Sequence, residues 1–237
     1  MNKLKIIKNI KLTEEFLGNE FEKCLREGKF NKILPMFNNV LRELSCKQGI
    51  ADFICFSNTS FLSKNSAKIE YITNNIGKTF IPVISLLLNS APLNEIEIAN
   101  SIGYSREKAR RIIKILIKEK ILKESRKEKY CLYSEWTKFN IELWAFELKL
   151  SNWKRALYQS TQSQSFASNV VTVFPFSKKD LLLKNINKFE ELKVACLLFD
   201  PYNHNLEVLH LPNKSELKIN PHYLFALTET IMVRNNQ

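Results

Sequence analysis

The segment LWAFELKLSNWKRALYQ, residues 143–159, carries a charged pair inside an otherwise apolar run. Its first half is typical of a buried strand, and the second half predicts a helix. Residues two apart in a strand point to the same face, so Glu147 and Lys149 share one face of this strand. The pair is either a surface ion pair on an edge strand or part of a site, and the rest of the chain has to distinguish the two.

The composition bounds the class of protein. A net charge of +12, from 36 Lys and Arg against 24 Asp and Glu, favours a polyanionic partner such as nucleic acid. An AT-rich genome also produces chains rich in Lys, Asn and Ile, so charge alone does not decide. No apolar run reaches the roughly 18 residues that span a bilayer, and the first residues lack the apolar centre of a signal peptide. We therefore expect a cytoplasmic protein without membrane contact.

The first 70 residues predict a helix followed by a β-hairpin. Thr13 is placed to cap a helix with an apolar stripe, and Gly28 is placed to end it. The runs VLREL and GIADFICF flank a Lys-Gln-Gly turn, which is a hairpin signal. Asp52 is the anomaly, because a carboxylate in such an apolar strand costs desolvation energy unless something binds it. Residues 57–77 are rich in Ser and Asn and are interpreted as a connector.

Residues 78–135 have a different pattern: three helices followed by a charged hairpin, the order of a winged helix-turn-helix. The third helix, over 104–120, has a buried stripe on one side and seven basic against two acidic residues in all. Its stretch ANSIGYSREKARRII resembles the turn and recognition helix of winged-helix proteins. The candidate DNA contacts are Arg106, Arg110, Arg111 and Lys114. Winged helices also bind proteins, so that alternative stays open.

Residues 136–237 return to alternating strands and helices, which predicts an α/β class for the whole. The interpretation is one discontinuous α/β core, 1–70 with 136–237, interrupted by the winged helix at 78–135. If the strand carrying Asp52 pairs with the strand carrying Glu147, two carboxylates and Lys149 converge. Two hard oxygen ligands suit Mg²⁺, or Mn²⁺, beside a phosphate, and the lysine would orient an attacking water and help to deprotonate it.

The segments GIADFICF, FELK and NWKRALYQ together resemble the PD-(D/E)XK nuclease superfamily. The resemblance implies a restriction-endonuclease-like core with a mixed central sheet and a metal-dependent DNA endonuclease activity, in which Asp52 and Glu147 bind the metal and Lys149 is catalytic. It further implies an ancillary contact from Gln159 and an acidic residue from the first helix, for which Glu22 is the candidate and Glu20 its rival. Many members act as dimers, so the implied partners are double-stranded DNA and a second copy of the chain.

Two departures from the superfamily pattern stand out. Ala51 precedes Asp52 where the motif has proline, and Asp52 and Glu147 are 95 positions apart. An inserted winged helix explains the separation, since insertions in loops with close ends cost little free energy. Glu43, in the strand before Asp52, is a candidate for supporting the metal ligands. The alternative function is a non-catalytic DNA-binding or regulatory protein that uses an inactive nuclease-like fold for dimerisation.

Overall fold

The computed structural model describes residues 11–37, 39–46, 49–57, 60–137, 141–213 and 219–235. The protein is a mixed α/β protein, as its sequence predicts. Its chain forms two compact units, and each is discontinuous in sequence. Unit 1 comprises Met1–Asn58 and Glu142–Glu216, and unit 2 comprises Thr59–Ile141 and Leu217–Gln237.

The elements alternate along the chain. The strands are β1 Asn39–Cys46, β2 Gly49–Ser57, β3 Leu122–Glu124, β4 Tyr130–Leu132, β5 Glu142–Leu148, β6 Asn169–Pro175, β7 Ala195–Asp200 and β8 Asn205–His210. The helices are α1 Glu14–Arg26, α2 Ser60–Ile76, α3 Ile81–Leu88, α4 Glu95–Ile102, α5 Arg106–Lys118, α6 Trp153–Ser163, α7 Lys179–Leu183, α8 Ile186–Glu191 and α9 Pro221–Asn235. Within the described ranges, no helix has both the length and the apolar character needed to cross a bilayer.

Unit 1 is built on one six-stranded mixed sheet in the order β1-β2-β5-β6-β7-β8. The pairs β1–β2 and β2–β5 are antiparallel, the pairs β5–β6 and β6–β7 are parallel, and β8 closes the other edge antiparallel to β7. Because β2 pairs directly with β5, the strand of Asp52 lies beside the strand of Glu147. The pairing on which the predicted site depends is therefore present, although unit 2 separates the two strands in sequence.

The two faces of the sheet are covered by different helices. Side chains alternate along β5, so Trp144, Phe146 and Leu148 point to the face that α1 covers and join its apolar core. The intervening residues, Ala145 and Glu147 among them, point to the face against which α6 packs. This alternation decides which side of the sheet holds the charged residues.

Phe21 is the central residue of the α1 face. Its side chain is fully buried, and its ring lies 5.3–6.2 Å, between centroids, from the rings of Phe30, Phe53, Phe146 and Phe199. The aromatic cluster joins α1 to β2, β5 and β7. The helix therefore depends on these rings for its position on the sheet.

Replacing Phe21 with alanine is expected to lower the free energy of unfolding by about 3–5 kcal/mol, because the change leaves a cavity and removes four ring contacts. Urea unfolding of wild type and variant measures the difference. Phe176→Ala is the matched control, since that ring is 37% exposed and its loss should cost less than about 1 kcal/mol. Equal losses for the two variants would contradict the assignment of Phe21 to the core.

Unit 2 contains the three helices and the hairpin predicted from residues 78–135. A capping box begins α4, with Asn94 and Glu97 exchanging side-chain and backbone hydrogen bonds. Gly103 ends that helix in the left-handed conformation (φ 68°), which glycine adopts without strain. Ser105 caps α5 by accepting from Lys108 N, and β3 and β4 form the two-stranded hairpin after it. Gly103 in the turn and Ser105 as the cap therefore mark the end of α4 and the start of α5 in the sequence as well as in the structure.

Two expectations about the boundaries are wrong. The segment interpreted as a connector is the helix α2, whose buried Asn65, Ile69 and Ile72 form one stripe among polar neighbours. In addition, α2 and the C-terminal helix α9 belong to unit 2, where they pack against each other, and not to the core. Hydrophobic periodicity identifies a helix, but it does not identify the unit that the helix packs against.

Candidate active site

Glu147 is the most deeply buried charged residue of the predicted set, with a relative exposure of 2%. It lies at the penultimate position of β5, on the face that α6 covers. Its neighbour on β6 is Thr172, which is fully buried and whose hydroxyl donates to the carbonyl of Ala195. A carboxylate in this place is costly to desolvate, so a solvent-facing salt bridge on an edge strand does not describe it.

Asp52 lies where β2 and β5 stop pairing. The last regular pair between the two strands is Phe53 with Phe146. Beyond it, the backbone amide of Leu148 donates to Asp52 Oδ2 at 2.7 Å. The side chain of Asp52 therefore takes a backbone hydrogen bond at the point where the ladder ends. This holds one carboxylate oxygen in a fixed place beside Glu147.

Lys149 connects the two carboxylates. Its Nζ lies 2.7 Å from Glu147 Oε1 and 3.6 Å from Asp52 Oδ2, and it donates to the carbonyl oxygen of Leu148 at 3.0 Å. The backbone amide of Lys149 donates to the carbonyl of Val173 on β6, which fixes the residue just past the end of β5. The three residues of the predicted constellation thus meet on one face of the sheet.

The exposures of the three side chains give the cluster a closed and an open side. The side chain of Glu147 is 3% exposed, that of Lys149 is 13% exposed and that of Asp52 is 36% exposed. The cluster is therefore open to solvent on the side of Asp52, and Glu147 lies at its buried end.

The pKa of Glu147 is raised from its ordinary value of 4.5 to about 7, first by burial and then by the charge of Asp52, while the nearby Lys149 ammonium opposes the increase. For Lys149, desolvation opposes the charged form, but the two carboxylates outweigh it and raise the pKa of the ammonium. Oε1 of Glu147 is buried, and no described group donates a well-directed hydrogen bond to it despite the nearby ammonium. The carboxylate is thus held in place without being fully satisfied.

A third carboxylate, which the sequence did not single out, lies close to the cluster. Glu14, in the first turn of α1, accepts from the backbone amide of Leu150 at 3.3 Å. Its negative charge contributes to the raised pKa values of both Glu147 and Lys149. An acidic residue in a first helical turn is ordinarily explained by the helix dipole, and no spacing signal distinguished this one.

Glu22, the acidic residue predicted from the first helix, is not brought to the cluster. Its carboxylate forms ion pairs with Arg26 and Arg42, and the Arg42 guanidinium lies over the ring of Phe53 on the α1 face. Its rival Glu20 accepts from His204 in the turn after β7, at 2.8 Å. The part of α1 that contacts the cluster is its first turn, through the bond between Glu14 and Leu150, and not the turns that carry Glu20 and Glu22.

Gln159 lies in the middle of α6, as predicted, and the helix packs against β2, β5 and β6. Its Oε1 atom is buried, and no hydrogen-bond donor for it is found among the described residues. The adjacent Ser160 hydroxyl has the same property. The two orphaned polar atoms mark the α6 face as polar, but no measured contact joins Gln159 to the three charged residues. Its ancillary role stays a prediction.

Glu43 occupies an irregular position in β1. Its φ is 48°, in the left-handed region that non-glycine residues rarely adopt, and the regular pairing of β1 with β2 skips it. Its side chain is exposed. Regular strand pairing is therefore interrupted on both sides of Asp52, because β1 is irregular at Glu43 and the pairing of β2 with β5 ends at Phe53 and Phe146.

The four predicted DNA contacts of α5 are all exposed. Arg106 and Arg110 form hydrogen-bonded ion pairs with Glu95, and Arg111 donates to the carbonyl of Asn75 at 3.5 Å. Lys114 forms no hydrogen bond or ion pair with any residue in the described part of the chain. The helix has the cationic surface that the sequence predicts, and three of the four candidate residues donate hydrogen bonds to neighbouring groups.

The cluster in unit 1 fits a small hard cation by its donors. Asp52, Glu147 and the carbonyl of Leu148 are oxygen ligands of the kind that Mg²⁺ prefers, and this ion retains several waters, so that two carboxylates suffice. Across the described ranges, no group of three or more His, Cys, Asp or Glu side chains has the arrangement of a metal site. Oε1 of Glu147 receives no well-directed hydrogen bond from a described residue, although the Lys149 ammonium lies 2.7 Å away, so this oxygen is able to bind a cation.

The geometry defines the class of site: two carboxylates and a lysine at the point where two strands of a mixed sheet diverge. Comparison of the chain with protein-family models, with curated proteins and with solved structures finds no match. A function for the chain therefore has to be argued from the chemistry of this site and from the charge of α5.

Proposed function

We propose that the protein is a metal-dependent deoxyribonuclease, with hydrolysis of phosphodiester bonds at the cluster of unit 1 and binding of duplex DNA by α5 of unit 2. The observation that carries the proposal is the convergence of Asp52, Glu147 and Lys149 from strands that are far apart in sequence. A buried carboxylate, a half-open carboxylate and an ammonium in contact are costly to fold, and phosphate chemistry gives the combination a use.

Each charged residue of the cluster has a distinct role in this chemistry. Asp52 and Glu147 would hold Mg²⁺, which would supply positive charge beside the phosphate and lower the pKa of a bound water. Lys149, as the ammonium, would orient the attacking water and stabilise the negative charge that grows on the phosphate oxygens. As the bond from water to phosphorus forms, the water releases a proton to solvent, and the leaving oxygen takes a proton from solvent as its bond to phosphorus breaks. The hydrogen bond from Leu148 N fixes Asp52, so the position of one ligand is set before substrate arrives.

The shape of the cluster sets the direction from which the substrate enters. Since Asp52 is the most exposed of the three side chains, the phosphate is expected to arrive on its side, with Lys149 between it and the buried Glu147. Glu14, exposed in the first turn of α1, lies at the same end of β5. It is placed to hold water or a cation at the entrance.

Incubation of supercoiled plasmid with the purified protein tests the proposal. We expect conversion to nicked or linear DNA in Mg²⁺ or Mn²⁺, and none in EDTA, because the carboxylates need a cation to bind phosphate. Linear duplex, single-stranded and branched substrates identify the preferred DNA. If none of these is cut with either metal, while DNA is bound with a strong salt dependence, the protein is the non-catalytic DNA-binding protein of the alternative interpretation.

A further inference from the structure

We propose that Glu95 controls the DNA affinity of unit 2, because it competes with DNA phosphate for Arg106 and Arg110. This inference rests on the proposed DNA binding by α5 and assigns one residue the control of its strength. The competing group is the first residue of α4, so the control lies outside the helix that carries the cations.

The contacts show how completely Glu95 engages the two arginines. Arg106 Nε donates to Oε1 at 2.7 Å, while Arg110 Nε and Nη2 donate to Oε2 and Oε1 at 2.9 and 3.0 Å. Both carboxylate oxygens are used, and the Arg110 contact is the two-pronged arrangement that this side chain also makes with phosphate. One carboxylate thus binds the two guanidinium groups nearest the start of α5.

The exposures show that Glu95 is enclosed and the arginines are not. The side chain of Glu95 is 17% exposed, against 58% for Arg106 and 49% for Arg110. The arginines therefore cover the carboxylate and keep their outer sides open to solvent. Hydrogen bonds from Arg110, followed by those from Arg106, lower the pKa of Glu95 and so favour its charged form.

The position of Glu95 in α4 adds to its hold on the arginines. A carboxylate in the first turn of a helix is stabilised by the helix dipole, and the capping box of Asn94 and Glu97 fixes that turn. Arg106 and Arg110 lie one turn apart on α5, so both guanidinium groups reach the same carboxylate. The two helices of the helix-turn-helix are therefore joined by an ion pair on the surface that would face DNA.

The consequence for binding follows from charge. A phosphate that contacts Arg106 or Arg110 has to displace a carboxylate that satisfies the same donors. Each arginine that stays with Glu95 releases no counterion from DNA and adds little to the salt dependence of binding. Lys114, which makes no contact of this kind with a described residue, is free to bind DNA without such a cost. Glu95 thereby weakens the binding of DNA phosphate by α5.

Glu95→Gln tests this inference, with Glu107→Gln as the matched control. Both changes remove one negative charge near the start of α5, but Glu107 is exposed and forms no ion pair with a described residue, whereas Glu95 binds two arginines. We measure the dissociation constant for a random-sequence duplex by fluorescence anisotropy between 50 and 300 mM KCl. For Glu95→Gln we expect about fivefold tighter binding and a log–log salt slope more negative by about 1–2, since up to two phosphate contacts are gained. For Glu107→Gln we expect a slope within about 0.5 of wild type.

Equal slopes for the two variants, or weaker binding by Glu95→Gln, would overturn the inference, and the second result would show that Glu95 orients the arginines for DNA. Circular dichroism confirms that the variants are folded, and the double variant Glu95→Gln with Arg110→Gln should return the slope toward wild type. If wild type binds DNA at no salt concentration, the proposed function itself fails, and that result is distinct from a failure of Glu95.

Discussion

Replacing Lys149 with alanine is expected to lower Mg²⁺-dependent DNA cleavage by about 10²–10³-fold, the usual effect of removing one preorganised charge-stabilising group. The ammonium contacts both carboxylates, so its loss removes the positive charge that faces the phosphate and the group that orients the attacking water. DNA binding should change by less than about threefold, because α5 supplies the cations for binding. Single-turnover nicking of plasmid at saturating protein measures the cleavage step.

The control for this variant is another lysine of unit 1. Lys188 lies on α8 and forms an exposed ion pair with Glu191, so Lys188→Ala removes the same charge from a place without phosphate chemistry. It should cleave DNA at the wild-type rate. Cleavage by Lys149→Ala at the wild-type rate would exclude this cluster as the active site, and it would point to a contaminating nuclease if Glu147→Gln were equally active.

The residues of the cluster were predictable because each breaks the pattern of its strand. An aspartate in GIADFICF and a charged pair in LWAFELKL are unusual in apolar strands, and alternation along β5 placed Glu147 and Lys149 on a common face. Their meeting needed the further assumption that β2 and β5 are neighbours. The winged-helix pattern between them supported that assumption, because it accounted for the intervening chain as an insertion.

The residues that were missed depend on tertiary placement. Glu14 reaches the site because the first turn of α1 lies at the end of β5, and no periodicity in one helix encodes where its ends fall on a sheet. For the same reason Glu22, on the same helix, is held by two arginines on the other face. The polar composition of α2 concealed the buried stripe that includes Asn65, Ile69 and Ile72, and no local pattern in the sequence of α9 showed that it packs in unit 2.

A second expected result concerns stability. Glu147→Gln should make the metal-free protein more stable at pH 8 by about 1–3 kcal/mol, and should change its stability little at pH 5. The raised pKa of about 7 means that the folded protein holds a proton on Glu147 more tightly than the unfolded chain, whose value is 4.5. Wild type therefore loses stability as pH rises from 4.5 to about 7, by at most roughly 3 kcal/mol. Glutamine does not titrate and avoids that loss.

Urea unfolding in EDTA at pH 5, 6, 7 and 8 measures this difference, with Glu22→Gln as the control of opposite sign. Glu22 is a carboxylate of the same unit that is held by two arginines, so its replacement should destabilise the protein at pH 8. A gain for Glu147→Gln that is equal at pH 5 and pH 8 would refute the assignment of the raised pKa.

Repeating the urea unfolding in millimolar Mg²⁺ tests whether the same carboxylate binds a cation. An ion bound by Asp52 and Glu147 should stabilise wild type by mass action and leave the stability of Glu147→Gln nearly unchanged. The advantage of the variant should therefore shrink in Mg²⁺, because the same carboxylate that costs stability in the free protein is the one that the proposed cation requires.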